Sequence, residues 1–219
     1  MSKKLIISAD DFVFLEAYTL GAIHGCVNGV VTVLSLMSNM DAAEFAVTMK
    51  NNVCLNIGMA LHVNFVQGRS ICDPGQIPSL VDSNGFFIEA ISGKVMFLVL
   101  KNAKVMYTHF FDDIKREAKA QMEHFKELTG YYPIHMEGHS AMTTPMLQAF
   151  EELSEEYGIH YNEKIPFRGM GLYSYAEAKS PFLMKILERG SSPGDWEKDA
   201  FKVLNAPTKL QFCIFILII

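Results

Sequence analysis

Apolar runs alternate with amphipathic stretches along most of the chain. Runs rich in β-branched and other apolar residues are typical of buried parallel strands, and apolar positions three or four apart are typical of covering helices. The predicted strands are Leu5 to Ala9, Val30 to Leu36, Asn56 to Val63, Pro133 to Met136 and Ile159 to Tyr161. This alternation predicts an α/β fold on a parallel sheet.

Helices are predicted between these strands. They are Leu15 to Val27, a helix opened by a capping box of Asp41 and Glu44, Asp112 to Leu128, and a helix from Thr144 to Gly158. Residues 65–84 are rich in glycine and proline, which predicts a long loop over the carboxyl ends of the strands. Residues 86–111 fit helix and strand equally, and beyond Asn162 the signals weaken.

Composition narrows the class of protein. A chain of 219 residues that is 50% hydrophobic fits one large domain, here residues 1–219, better than two small ones. A net charge of −5 disfavours nucleic acid as a partner and favours a small molecule. The four cysteines form no close pair, so neither a disulfide framework nor a zinc knuckle is indicated.

The two termini give further expectations. The apolar run after the first residues is too short for a signal peptide, so we expect cytoplasmic residence and no membrane partner. Residues 212–219 form an apolar run that is too short to cross a bilayer and fits a buried strand. Because this run reaches the terminus with no polar cap, we expect the chain to stop before its fold is complete.

Polar residues stand at the ends of three predicted strands. Asp10 and Asp11 end the first, His62 lies near the end of the third, and His139 follows the fourth. Because the carboxyl ends of parallel strands meet at one edge of a sheet, these side chains should gather there. One carboxylate and two imidazoles form a divalent-metal site with open positions, which suits metal-activated hydrolysis. Asp10, beside that site, is the candidate base.

Other polar residues near these strand ends have weaker assignments. Asn64 points to the same strand face as His62 and is a candidate substrate contact. Glu137 is a candidate partner that orients a ligand imidazole, and His135 lies near it. Simpler interpretations stay open, because the Asp10-Asp11 pair could cap the following helix and His62 could be a hydrogen-bonded core histidine.

Five segments together carry a resemblance to a known family. They are Leu5 to Phe12, Asn28 to Thr32, Gly58 to Asn64, Pro78 to Asp82 and Pro133 to Ser140. In this order and spacing, over residues 4 to about 165, the chain resembles the YdjC-like carbohydrate deacetylases, which include chito-oligosaccharide deacetylases. Two departures stand out: Val13 replaces a usual glycine, and Glu137 to Ala141 replace a run of Asp-Ser-His-His-His.

The resemblance implies a distorted (β/α) barrel of the glycoside hydrolase/deacetylase type, expected here to be incomplete at its C-terminus. It also implies a divalent metal, magnesium first and zinc second, with Asp11, His62 and His139 as its ligands and Asp10 as the base. The expected reaction is hydrolysis of an N-acetyl group from an amino sugar. Family members carry a further histidine that serves as acid, and no histidine follows His160 in this chain.

Different functions stay open at this point. A phosphoesterase or a glycosidase could use a related barrel, with Asp10 and Glu137 as the paired carboxylates of the glycosidase. An inactive fragment is the third interpretation. Apolar surface left by a missing terminus could be covered by a second copy, so a homodimer is also considered.

Overall fold

Parallel strands joined by helices make up the computed structural model, which describes residues 4–54, 56–88, 103–139, 144–161, 172–174 and 210–215. The strands are Lys4–Phe12 (β1), Val33–Leu36 (β2), Gly58–Val63 (β3), His135–Gly138 (β4), His160–Tyr161 (β5), Leu172–Ser174 (β6) and Leu210–Phe215 (β7). The helices are Glu16–Asn28 (α1), Ala43–Val53 (α2), Ala103–Thr129 (α3) and Thr144–Tyr157 (α4), with a 3-10 turn at Pro74–Gln76.

The seven strands form one sheet in the order β5-β4-β3-β2-β1-β7-β6, and every neighbouring pair is parallel. The predicted parallel α/β fold is therefore confirmed. The carboxyl ends of β1, β3 and β4 share one edge, where the polar residues singled out in the sequence lie. Closure of the sheet into a distorted barrel and a missing C-terminal part stay predictions. Of the apolar run 212–219, residues up to 215 lie in β7 and the rest fall outside the described residues.

Several element boundaries differ from the predicted ones. β1 continues to Phe12, so Asp10 and Asp11 belong to the strand. β2 begins only at Val33, and in the connection before it the Thr32 N–H donates to the Ile7 carbonyl at 2.9 Å. The predicted capping box is wrong, because α2 begins at Ala43 after Ala42, with no side-chain cap bond. The chain enters α2 through a turn in which the Ala43 N–H already bonds to the Met40 carbonyl.

The hydrophobic core lies between the sheet and the helices. Leu34, Met59 and Leu61 are fully buried in the central strands. Of the predicted apolar face of α3, four members have at most 1% of their surface exposed, namely Ile114, Ala118, Met122 and Phe125, whereas Leu128, near the end of the helix, is half-buried. Among the described residues, no helix combines the length and apolarity that a bilayer crossing requires.

A stripe of polar side chains on α3 holds the loop after β3. The stripe consists of Asp113, Glu117 and Gln121, which are four residues apart and so lie on one helix face. All three are buried, and we call them the α3 polar stripe. The loop, residues 64–88, is irregular apart from the 3-10 turn, as its glycines and prolines predict.

Each member of the α3 polar stripe binds backbone groups of this loop. The Asp113 carboxylate accepts bonds from the Ser79 N–H at 3.0 Å and its hydroxyl at 2.7 Å. The Glu117 carboxylate accepts the N–H groups of residues 71 and 72, each at 3.0 Å. Gln121 accepts the Asn64 N–H at 2.9 Å and donates to its carbonyl at 2.7 Å. The helix therefore fixes the start and the middle of the loop over the edge of the sheet.

Candidate metal centre

The ends of β1, β3 and β4 bring three potential metal ligands together. Asp11 and His62 are the penultimate residues of β1 and β3, and His139 directly follows β4. The His139 N–H donates to the Val63 carbonyl at 2.9 Å, which continues the β3–β4 pairing by one residue. The parallel register therefore places residues that are far apart in sequence at one point of the sheet edge.

The donor atoms of Asp11, His62 and His139 form a tight triangle, which we call the triad. Asp11 Oδ1 lies 3.0 Å from His62 Nε2 and 2.8 Å from His139 Nδ1, and the two nitrogens lie 3.2 Å apart. The side chains are mostly shielded from water, with 16%, 5% and 13% of their surface exposed. Each residue thus contributes one potential ligand atom to a common point.

The geometry and chemistry of the triad fit a divalent cation. Neighbouring donors that bind one ion at about 2.1 Å lie about 3.0 Å apart in octahedral and about 3.4 Å apart in tetrahedral coordination. The observed edges, 2.8 to 3.2 Å, match the octahedral value most closely.

The chain turns sharply just after Asp11. Asp11 has φ = 55° and Val13 has φ = 87°, and the Phe14 N–H bonds to the Asp11 carbonyl at 2.9 Å. Positive φ at the third position of such a turn is the glycine position of a type II turn, and a β-branched residue there is strained. This is the position where Val13 departs from the family pattern. The turn ends β1 and presents the Asp11 carboxylate to the two histidines.

The candidate base, Asp10, lies behind the triad. Its side chain is buried, accepts a hydrogen bond from the Ser8 hydroxyl at 2.9 Å and shares one with Glu137. Burial raises the pKa of Asp10 well above its usual range, and the negative charge of Glu137 raises it further. A raised pKa brings a carboxylate closer to the range in which a general base works at neutral pH.

Glu137 lies between two histidines, as an orienting partner would. Its carboxylate oxygens are 3.6 Å from His62 Nδ1 and 3.7 Å from His135 Nε2. Burial alone would raise the pKa of Glu137, but the nearby imidazoles of His135 and His62 outweigh it and hold this pKa well below the usual range. Glu137 therefore faces the nitrogen of His62 that does not point into the triad, which leaves Nε2 free to bind a cation.

The charges around the triad favour ionised groups when no cation is bound. Burial alone would lower the pKa of His62, but its hydrogen bond with Asp11 and the nearby Glu137 carboxylate raise it to about 10. Burial would raise the pKa of Asp11, yet the bonds with His139 and His62 hold it well below its usual range. The cation-free triad is thus a carboxylate beside a protonated imidazole, and a cation would take the place of that proton.

Asn64 has partners within the protein rather than an open side. Its side chain has no exposed surface and donates to Asn39 Oδ1 at 3.0 Å and to the Gln67 carbonyl at 2.7 Å. Its Oδ1 accepts the N–H groups of Val66 and Gln67. These bonds hold the loop, so a structural role fits Asn64 better than the substrate contact that its position after His62 suggested.

Phe14 lies beside the triad although sequence reasoning did not select it. Its half-buried ring is 6.0 Å from the ring of His139, between centroids. The only sequence signal was its position just after the Asp10-Asp11 pair. The α3 polar stripe was also missed, although a four-residue spacing of polar groups on a helix is visible in the sequence.

The sequence is similar to a known protein family and to several named proteins. The model of the YdjC-like protein family matches residues 4–205. A mouse (Mus musculus) protein named carbohydrate deacetylase is 29% identical over 216 residues, covering 96% of this chain and 66% of the mouse protein. A Clostridium beijerinckii protein of the same name is 32% identical over 159 residues, covering 71% of this chain and 58% of that protein.

The chain spans about half to two thirds of the length of the curated relatives it matches. A crystal structure from Enterococcus faecalis, provisionally named a cellobiose-phosphate cleavage protein, has a TM-score of 0.74 at 19% identity and covers 99% of this chain and 81% of that one. This likeness supports the fold. The family match over most of the sequence confirms the resemblance, and the chain belongs to the YdjC-like protein family.

Proposed function

We propose that this protein is a metal-dependent hydrolase that removes N-acetyl groups from amino sugars or chito-oligosaccharides. The triad carries this proposal, because three converging donors at the carboxyl edge of a parallel sheet form an open metal site in the usual place for α/β chemistry. The name shared by the mouse and Clostridium beijerinckii relatives supports the substrate class. Membership of the family supports the reaction class.

Asp11, His62 and His139 would hold the cation. Magnesium is the ion that the family resemblance implies, while two imidazoles among three donors also suit zinc. A cation bound here would act as a Lewis acid and would lower the pKa of a water molecule that it binds. With a cation bound, Glu137 would hold His62 in the tautomer whose Nε2 is unprotonated, since its carboxylate faces Nδ1.

Asp10 would handle the proton of the attacking water. A carboxylate oxygen of Asp10 accepts that proton while the oxygen of water bonds to the acetyl carbon. The C–N bond of the acetamide would then break as the nitrogen takes up the proton that Asp10 accepted, which restores the Asp10 carboxylate, and acetate and the free amino sugar are the products. The Ser8 hydroxyl, which donates to Asp10 Oδ1, fixes the orientation of this carboxyl group.

The contacts of the described residues give less support to the other hydrolases. A glycosidase needs carboxyl groups about 5 Å apart or more on either side of a sugar. Asp10 and Glu137 instead share a hydrogen bond, and only 3% of Glu137 is exposed. A phosphoesterase would benefit from a cationic side chain, yet Arg69 stacks on Phe86 at 4.5 Å, and no described contact joins it to the triad.

The test is acetate release from an acetylated amino sugar in the presence of magnesium or zinc. Asp10→Asn keeps the shape of the side chain and removes the base, so we expect acetate release to fall by about 100-fold or more. Cation affinity, measured by calorimetry, should stay within a few-fold. Asp41→Asn, on an exposed turn, is the matched control.

Two results would contradict the proposal. Full activity in Asp10→Asn would remove Asp10 from the mechanism. Release of phosphate or of a reducing sugar, with no acetate, would overturn the function itself. Cytoplasmic residence and a homodimer stay predictions.

A further inference from the structure

The turn after β1 places the aromatic ring of Phe14 at the edge of the hydrophobic core rather than within it. Phe12 has no exposed surface and Val13 only 4%, whereas Phe14, the next residue, is half-buried. The backbone that carries Phe14 out of the core includes the strained Val13, with φ = 87°. Strain of this kind costs about 1–3 kcal/mol and persists chiefly where a site needs the resulting geometry. The position of Phe14 is therefore maintained against a conformational preference.

Two aromatic neighbours fix the Phe14 ring. Its centroid lies 6.0 Å from that of His139, with the planes tilted by 32°. Tyr18, in the first turn of α1, meets the Phe14 ring edge to face at a centroid distance of 5.5 Å and an angle of 72°. Tyr18 is itself half-buried. The pair forms a short apolar wall that begins at one ligand of the triad and leads away from it.

A sugar ring is a suitable occupant for this wall. A pyranose carries its hydroxyl groups around the ring edge and exposes C–H groups on its faces, which pack on aromatic rings by apolar burial. Ligand sites combine such an apolar wall with a few placed polar groups. An acetamide at the triad would leave the attached sugar ring next to the wall, because Phe14 contacts the ring of His139 directly.

We propose that Phe14, supported by Tyr18, is the substrate-contact residue against which the acetylated sugar ring packs. This inference rests on the proposed function, since it concerns the substrate of the same site. The substrate class becomes an N-acetylated pyranose with an open C–H face. Phe14 binds this ring in the ground state and in the transition state alike, so its removal should affect KM rather than kcat.

The experiment compares Phe14→Leu and Phe14→Tyr, assayed for acetate release from N-acetylglucosamine oligomers. Phe14→Leu keeps an apolar side chain but loses the flat ring, so we expect KM to rise about five- to tenfold with kcat within about twofold. Phe14→Tyr keeps the flat ring, so its KM should rise less than that of Phe14→Leu. Phe45→Leu makes the same change on the exposed face of α2, where 64% of Phe45 is exposed, and should leave KM unchanged.

Cation affinity separates a substrate contact from a purely structural ring. Calorimetric titration with zinc should give the same dissociation constant for Phe14→Leu and the unsubstituted protein. If Phe14→Leu weakens zinc binding and acetate release in parallel, Phe14 only holds His139 in place and the inference is overturned. An unchanged KM in Phe14→Leu overturns it as well. An unsubstituted protein that releases no acetate overturns the proposed function, and the inference with it.

Discussion

The triad and the α3 polar stripe are both clusters of shielded polar groups, yet they are built in opposite ways. In the stripe, donors meet acceptors: the Glu117 carboxylate accepts two backbone N–H groups and the amide of Gln121. In the triad, two imidazole nitrogens and a carboxylate oxygen converge on one point within 3.2 Å of each other. The polar groups of the stripe find hydrogen-bond partners in the loop and in each other, whereas the triad requires a proton or a cation between its members.

Two buried carboxyl groups show the same contrast. Burial raises the pKa of Glu117 and of Asp10. The hydrogen-bond donors around Glu117 oppose that rise, whereas the neighbouring carboxylate of Glu137 adds to the rise at Asp10. We infer that a buried polar cluster in which donors face acceptors has a structural role. A cluster in which like groups face each other indicates a binding site for a proton or a cation. Substitutions in the two clusters test this distinction.

Asp11→Asn should separate the two clusters most clearly. Loss of the only carboxylate in the triad should lower zinc affinity by about 100-fold or more and abolish acetate release. Zinc should raise the melting temperature of the unsubstituted protein and not that of the variant. Differential scanning fluorimetry with and without zinc measures this. If the variant keeps the full zinc-dependent rise, the triad is not the metal site.

Glu117→Gln should lower the stability of the protein and leave its zinc affinity unchanged. The new amide places a donor against a backbone N–H of residue 71 or 72, which should lower the free energy of unfolding by about 1–3 kcal/mol. Zinc affinity should not change, because Glu117 contacts the loop and not the triad. Urea unfolding and calorimetry measure the two quantities. Glu127→Gln, at a position that is 75% exposed, is the matched control. A loss of zinc affinity without a loss of stability would contradict the contrast.

The triad and the α3 polar stripe should contribute to the free energy of unfolding over different pH ranges. The pKa of His62 is raised to about 10 in the cation-free protein, so its contribution to stability is complete below its usual pKa of about 6.5 and is lost as pH rises through about 10. Burial also raises the pKa of Glu117, so its contribution to stability is complete below its usual pKa of about 4.5 and is lost as pH rises from that value. Urea unfolding in chelator should therefore show a decline between pH 7 and 10 that His62→Gln removes.

The same protonation sets how a cation binds. A histidine must lose its proton to become a ligand, so zinc binding at pH 7 should release about one proton from the triad. The apparent affinity for zinc should then rise about tenfold per pH unit between pH 7 and 10. Calorimetry in buffers of different ionisation enthalpy counts the released protons. A count near zero would mean that His62 is neutral in the cation-free protein.

The smallest effect concerns backbone strain at the end of β1. Val13→Gly and Val13→Ala both remove a buried side chain, but only glycine relaxes φ = 87°. We therefore expect the glycine variant to be more stable than the alanine variant by about 1 kcal/mol. At Val47, buried in α2, the same pair should show the ordinary order, with alanine more stable by about 1 kcal/mol. Urea unfolding of the four variants measures both differences, and the same order at both positions would contradict the strain.

Much of the fold could be predicted from local pattern. The alternation of apolar runs and amphipathic stretches gave the parallel α/β arrangement, because burial on both faces and helical periodicity are local properties. The start of α2 was predicted incorrectly at Asp41, since a capping signal competes with a turn that only the packed chain reveals. The start of β2 was placed too early for a similar reason.

The sequence by itself determined which residues could form the triad, since Asp11, His62 and His139 are polar groups at the ends of apolar runs, and parallel strands end at one edge. Only the tertiary structure decided what each polar group faces: Asn64 faces its own loop, Asp10 faces Glu137, and Phe14 faces His139. The physical reason is that these partners depend on register, on a strained turn and on packing across the sheet. None of these leaves a periodic signal along the chain.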